Sequence, residues 1–188
     1  MLIRPAVLAD AAALSAIYNQ ASSATPAHNL VTWQESLSDR EQWLRDMEED
    51  GYPVFVAVED DAVLGWAAYF QFVTPAIYFG TVENSIYLAP QARGKGVGTK
   101  LLRAVIDAAA QDEYVQTMIS YIVDHNEASI ALHQKLGFVE TGRMPNIHTK
   151  DGHRLGLVHL QLDFPRDSIT TGRAPLSAPL SARTERTN

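Results

Sequence analysis

Three glycines on alternate positions, in Gln91-Ala92-Arg93-Gly94-Lys95-Gly96-Val97-Gly98-Thr99, stand between a run that reads as a strand and a run that reads as a helix. No other feature limits the fold of this chain so strongly. Before it, Thr81 to Leu88 is a strand closed by Pro90. After it, Leu101, Leu102, Val105, Ile106 and Ala109 keep helical period from Gly98 to Ala110. A strand that passes through a glycine turn into a helix leaves exposed amides and the positive end of the helix dipole at one point in space. Glycines there let a ligand approach the backbone without Cβ obstruction, so a pyrophosphate fits. Two familiar phosphate loops do not match. A Walker A loop needs Gly-Lys followed by Ser or Thr, whereas the run ends Gly98-Thr99-Lys100. A dinucleotide fingerprint needs G-x-G-x-x-G, and the glycines here are Gly94, Gly96 and Gly98. What remains is Q-x-x-G-x-G.

The rest of the chain supplies a sheet for this junction. Leu2 to Arg4 is a short strand, and Asp10 is placed to cap a helix with Leu14, Ile17, Tyr18 and Ala21 on its apolar side. Ser38 and Glu41 have capping-box spacing ahead of Trp43, Leu44 and Met47, and Gly51 and Pro53 end that helix. Val54 to Val58 and Val63 to Phe72 form a hairpin about Glu59-Asp60-Asp61. Further on come a strand at Thr117 to Val123, a helix at Asn126 to Leu136 closed by Gly137, and a strand at Phe138 to Met144. A last strand at Arg154 to Phe164 follows the turn Asp151-Gly152. The pattern predicts one mixed α/β domain over residues 1–165, built around a single sheet. After Pro165 the composition turns to Ser, Thr, Pro, Arg and Ala, with Pro-Leu-Ser-Ala occurring twice, so residues 166–188 are expected to be a disordered tail.

Composition removes other classes. Fifteen Lys and Arg against 22 Asp and Glu leave a net charge of −7, unfavourable for general nucleic-acid binding. Without cysteine there is no disulfide, thiolate metal site or cysteine nucleophile, which fits the cytoplasm. There is no signal-peptide pattern at Met1-Leu2-Ile3-Arg4-Pro5, and no apolar run of about 18 residues that would span a membrane. His28, His125, His148, His153 and His159 lack close His-x-x-x-His pairing, so no metal is expected.

The glycine run resembles the CoA-binding motif of the GNAT acetyltransferase superfamily. A second match lies downstream, where Asn126, Ser129 and His133 fall at i, i+3 and i+7 on one side of a helix ending in Gly137-Phe138. Thr81-Val82-Glu83 together with Leu132-His133 is similar to the phosphinothricin and methionine sulfoximine N-acetyltransferase branch. Tyrosine is the commoner residue where this chain has His133. The resemblance spans about Ile3 to Phe164 in element order. It implies a mostly antiparallel, twisted central sheet flanked by helices, with acetyl-CoA as co-substrate, a small-molecule amine as acceptor, and a homodimer. It also implies site residues. Arg93, Gly94, Lys95, Gly96, Val97, Gly98 and Thr99 would hold the pyrophosphate, and Ile86, Tyr87 and Leu88 would pair with pantetheine and polarise the thioester carbonyl. Asn126 and Ser129 would line the pantetheine arm, although Asn126 also suits a helix N-cap.

Glu83 is expected to act as the base that takes a proton from the attacking ammonium, with a strand-edge ion pair as its alternative. His133 is a candidate proton donor to the thiolate or second base, with a packed structural residue as its alternative. The acceptor is expected among Trp33, Val73, Thr74, Pro75, Glu83, Asn84 and Ser85. The stretch Phe70 to Phe79 carries no Arg or Lys for a substrate carboxylate. An amino-acid analogue and a more apolar amine therefore both stay open, with Arg143, Lys150 or a second subunit as possible sources of charge. A peptide or protein N-terminal acetyltransferase and a non-catalytic acyl-CoA sensor are the competing readings.

Overall fold

The computed structural model describes residues 1–23, 33–72, 78 and 80–166. Its strands are β1 (Leu2–Pro5), β2 (Val54–Glu59), β3 (Ala62–Gln71), β4 (Thr81–Leu88), β5 (Thr117–Val123), β6 (Val139–Lys150) and β7 (His153–Asp163). Its helices are α1 (Ala11–Ser22), α2 (Leu37–Glu49), α3 (Val97–Gln111) and α4 (Glu127–Lys135). The strands form one seven-stranded sheet in the order β1-β2-β3-β4-β5-β7-β6. Every neighbouring pair is antiparallel except β4 and β5. The connection between those two is α3, as a parallel crossover requires. Among the described residues no helix is long and apolar enough to cross a membrane.

Tight turns close the hairpins where residues with positive φ permit it. Asp60 and Asp61 have φ of 49° and 63°, and Asp151 and Gly152 have 51° and 77°, both residues left-handed as a type I′ turn demands. The core lies between the sheet and its helices. Leu101, Leu102 and Val105 of α3 pack with Ala57, Ala67 and Met118 of the strands, and all six are fully buried. On the opposite side Trp66 donates its indole N–H to Leu14 O of α1 at 3.2 Å. Arg40 of α2 lies over the rings of Tyr18, Trp43 and Trp66, with its charge paired to Glu35 at 2.7 Å.

Several local expectations shift. The capping box of α2 is built by Ser36 and Asp39, not by Ser38 and Glu41. Ser36 Oγ accepts from Asp39 N, and the Asp39 carboxylate accepts from Ser36 N. Glu41 instead accepts from Arg45 on the helix surface. Asp10 occupies the N-cap position of α1 without a capping bond; its carboxylate accepts from Val7 N and pairs with Arg4. β6 runs to Lys150, well past Met144, with irregular register around Asn146. Arg166 donates to Ala109 O, Asp112 O and Val115 O, satisfying carbonyls at the C-terminal end of α3. The remainder of the expected tail, 167–188, lies outside the described residues.

Candidate active site

The parallel pairing of β4 and β5 is short. Only Thr81–Thr117, Val82–Met118 and Glu83–Ile119 are in register, although β4 runs to Leu88 and β5 to Val123. Past Glu83 the strands part, and a cleft opens through the sheet. Two chambers occupy it. The larger, about 510 Å³, is lined by the far part of β4, the glycine run, the start of α4 and Ala21 of α1. The smaller, about 270 Å³, lies between the separated strands. Ile86, Tyr87, Asn126 and Ser129 line both, so the chambers meet there.

The larger chamber is a backbone cradle. Gly94 and Gly96 have φ of 71° and 77°, and a Cβ on either would meet nothing within 4 Å, so their open faces are free to receive a ligand. Gly96 is the N-cap of α3 and supplies no side chain to the first turn. The amides at that helix start therefore remain available for an anion, as a pyrophosphate requires. Gly98 works differently. A Cβ there would come within 3.1 Å of Leu132 and 3.2 Å of Leu88, so its absence lets α3 close against β4 and α4. These residues fit the phosphate and pantetheine parts of acetyl-CoA.

Of the residues expected to hold the donor, Ile86, Tyr87, Leu88, Arg93, Gly94, Gly96, Gly98, Thr99, Asn126 and Ser129 line this chamber. Lys95 is exposed and Val97 is buried beneath the turn; neither lines it. Asn126 is the N-cap of α4, its Oδ1 accepting from Ser129 N at 3.3 Å, and it also lines this chamber. Ala128, Leu132 and Lys135 add a wall not anticipated from the sequence. Leu132 stands four after Ala128 and three before Lys135, a helical spacing that was the available signal.

In the smaller chamber, Glu83 projects between Phe70 of β3 and Ile119 of β5 in the sheet register. Burial alone raises its pKa from 4.5 to about 7, and no cation pairs with it among the described residues. The strand-edge ion pair considered for this residue is absent among the described residues. A carboxylate titrating near neutrality can take up and give back a proton under ordinary conditions. The Glu83 charge also raises the Tyr121 pKa, after burial, which is the larger cause. Tyr121 stacks on Phe72 at 6.1 Å, and Phe72 meets Tyr78 edge-on at 5.4 Å.

His133 is only 1% exposed. Its Nδ1 lies 2.8 Å from Ser129 O, and its Nε2 lies 3.1 Å from both Asn84 Nδ2 and Ser120 Oγ. Burial lowers its pKa to about 4, more than the bond to Ser129 raises it. The ring is neutral near pH 7, and its Nδ1 proton is committed to a carbonyl. A neutral ring with both nitrogens engaged favours the packed structural alternative over the proton donor. Strand alternation also puts Asn84, and hence His133, on the sheet face opposite Glu83.

Asn84 and Ser85 line the smaller chamber as expected. Trp33 lies apart, 65% exposed and lining neither chamber. Val73, Thr74 and Pro75 lie outside the described residues. Ser120, Tyr121, Ile122, Val123, Met144 and Leu157, from strands distant in sequence, and His133 of α4 complete the wall. No Arg or Lys lines this chamber among the described residues. Arg143 makes two bonds to Glu140, at 2.6 and 2.8 Å, and Lys150 donates to Ser22 O at the end of α1. Neither lines this chamber. Among the described residues no group of three His, Asp or Glu is arranged to hold a metal.

Comparison with known proteins agrees with this geometry. Residues 14–138 match the acetyltransferase (GNAT) family model. The chain is 39% identical over 167 residues to an L-amino acid N-acyltransferase of Escherichia coli strain K12, covering 87% of this chain and 94% of that protein. It is 38% identical over 166 residues to an L-methionine sulfoximine/L-methionine sulfone acetyltransferase of Pseudomonas aeruginosa, covering 86% and 94%. A Salmonella typhimurium structure with its cofactor acetyl-CoA superposes with a TM-score of 0.85 at 36% identity, covering 89% of this chain and 96% of that one. With a donor cradle at the glycine turn, a carboxylate at the parting of β4 and β5, and these relatives, the chain belongs to the GNAT family and is an acetyl-CoA-dependent N-acetyltransferase.

Proposed function

We propose that the enzyme acetylates the primary amine of a small amino-acid analogue by direct attack of that amine on the thioester, with Glu83 as the base. The observation that carries this is the place of Glu83. It stands unpaired among the described residues in the smaller chamber, which joins the donor cradle at Ile86 and Tyr87, with its pKa raised to about 7. Acetyl-CoA supplies the activated acetyl group. Ile86 and Tyr87, at the junction of the two chambers, align the donor arm, and the amides along this strand edge polarise the carbonyl under attack. Glu83 takes the ammonium proton, freeing the nitrogen lone pair.

The named acyltransferase relatives act on amino acids and their analogues, which supports this acceptor class. The absence of a lining cation among the described residues favours acceptors whose side chain is apolar, packed against Phe72, Tyr78 and Tyr121. A chamber of about 270 Å³ suits a small molecule better than a peptide. A homodimer in the cytoplasm belongs to the same proposal, supported by the family resemblance and the cysteine-free composition.

The test is release of free CoA thiol from acetyl-CoA across amino-acid analogues, apolar amines and short peptides, with Glu83→Gln alongside. Turnover with small amines that depends on Glu83 is the expected result. Turnover only with peptides would move the assignment to an N-terminal acetyltransferase. Tight acetyl-CoA binding with no turnover of any amine would leave a sensor.

A further inference from the structure

Where the parallel pairing of β4 and β5 stops, at Glu83–Ile119, Asn84 and Ser120 are the next residue on each strand. Both are buried, 4% and 3% exposed. Both reach one atom, His133 Nε2, at 3.1 Å. The other ring nitrogen faces Ser129 O at 2.8 Å. A carbonyl only accepts, so Nδ1 carries the ring proton and Nε2 presents a lone pair. The Asn84 amide and the Ser120 hydroxyl then both donate towards it, one from each strand. The ring sits at the vertex of the opening, with a strand on either side and α4 behind it.

We propose that His133 is a positioning residue, a pin whose anchors are Asn84 and Ser120, and that it sets how far β4 and β5 part. The width of that opening decides how the donor, held by β4 and α4, stands against the acceptor at Glu83. This inference rests on the reading of Glu83 as the base. The ring is suited to a mechanical duty. It is buried with an edge on the smaller chamber, it meets Phe138 edge-on at 5.0 Å, and its neutral form leaves no charge in the sheet. Asn84 Oδ1 has no partner among the described residues, so the bond to His133 is what orients this carboxamide. Glu83 and Asn84 are consecutive, so a shift of one is passed to the other through their shared peptide. Misplacing reacting groups by about 1 Å can cost about 100-fold in rate without altering either group.

The experiment compares Ser120→Ala, Ser120→Thr, Asn84→Ala and His133→Gln for kcat, for KM of donor and acceptor, for the pH–rate profile and for thermal midpoint. Ser120→Ala and Asn84→Ala leave the imidazole in place, yet each is expected to lower kcat by about 10-fold. The rise in rate near pH 7 stays, and Ser120→Thr, which keeps the hydroxyl, recovers most of the loss. Wild-type rates in both alanine variants, with His133→Gln inactive and missing a limb of the pH profile, would overturn the pin and make the imidazole a chemical participant. If the variants do not fold, nitrogen NMR of the intact enzyme decides. A neutral ring with its proton on Nδ1 from pH 5.5 to 8 supports the pin, and a ring that titrates near pH 7 refutes it. Glu83→Gln tests the base separately: if the rise near pH 7 survives that change, Glu83 is not the base, while the Ser120 comparison still reports on the pin.

Discussion

The two chambers are built from different materials. The donor chamber depends on backbone: glycines with positive φ, an uncapped helix start and a strand edge. The acceptor chamber depends on side chains drawn from β4, β5, β6, β7 and α4. A backbone cradle tolerates exchange of many side chains around it and keeps one ligand. A pocket of side chains can change its ligand with a single substitution. The contrast matches the chemistry, in which the donor is constant and the acceptor defines the individual enzyme.

The largest break in this contrast comes from the side-chain chamber. Glu83→Gln should lower kcat/KM by about 100-fold or more. Wild-type kcat/KM should rise with pH as the carboxyl ionises at about 7, and the variant should show no such rise. Acetyl-CoA affinity, measured by calorimetry, should stay unchanged. If Glu83→Gln weakened donor binding as much as it slowed turnover, the division between the chambers would fail.

The matching change in the backbone chamber is Gly96→Ala. Holding alanine at φ 77° costs about 1 kcal/mol, or roughly fivefold in acetyl-CoA affinity. The KM for the acceptor should not move. An alanine variant that bound the donor normally would show that side chains around the turn, not its backbone shape, carry recognition.

The last expected effect is on stability, and it links both ideas. Glu83 binds its proton more tightly folded than unfolded, so its favourable contribution is complete below about pH 4.5 and is lost as pH rises through about 7. At pH 8 an ionised, mostly buried Glu83 should cost about 3 kcal/mol, which Glu83→Gln recovers as a higher thermal midpoint. At pH 4 the two proteins should melt alike. Equal midpoints at pH 8 would mean that the carboxylate is solvated and that its chamber is not dry.

The sequence made the donor chamber readable because its signals are local. Thr81–Leu88 and Thr117–Val123 have the bounds that their residue patterns predict, and the glycine run falls at the strand-to-helix junction. Local signals also mislead where two are equivalent. Ser36-x-x-Asp39 and Ser38-x-x-Glu41 share a spacing, and only the extended backbone at Ser36, φ −81° and ψ 163°, decides between them. The acceptor chamber was half legible. Glu83, Asn84 and Ser85 follow from their place on the strand that leads to the glycine run. Ser120 and Tyr121 required knowing that β5 lies beside β4, and Met144 and Leu157 required the order β5-β7-β6. His133 was recognised as a site residue, but its duty depends on bonds to residues 49 and 13 positions away, which no periodicity encodes.

The short register between β4 and β5 also shapes how this molecule comes apart. β1 to β4 pair in sequence as one antiparallel block and β5 to β7 form another; in the sheet only three residue pairs join them, beside the α3 crossover and bonds such as Lys150 to Ser22 O and Asn84 to His133. Each block closes mainly near-neighbour loops, whereas the join spans the longer excursion from Glu83 to Thr117. The two blocks are therefore natural units of partial opening, and the join is the last contact made and the first released. Acetyl-CoA lies against β4 from the first block and α4 from the second, so the donor is also a strap across the weakest line of the protein that uses it.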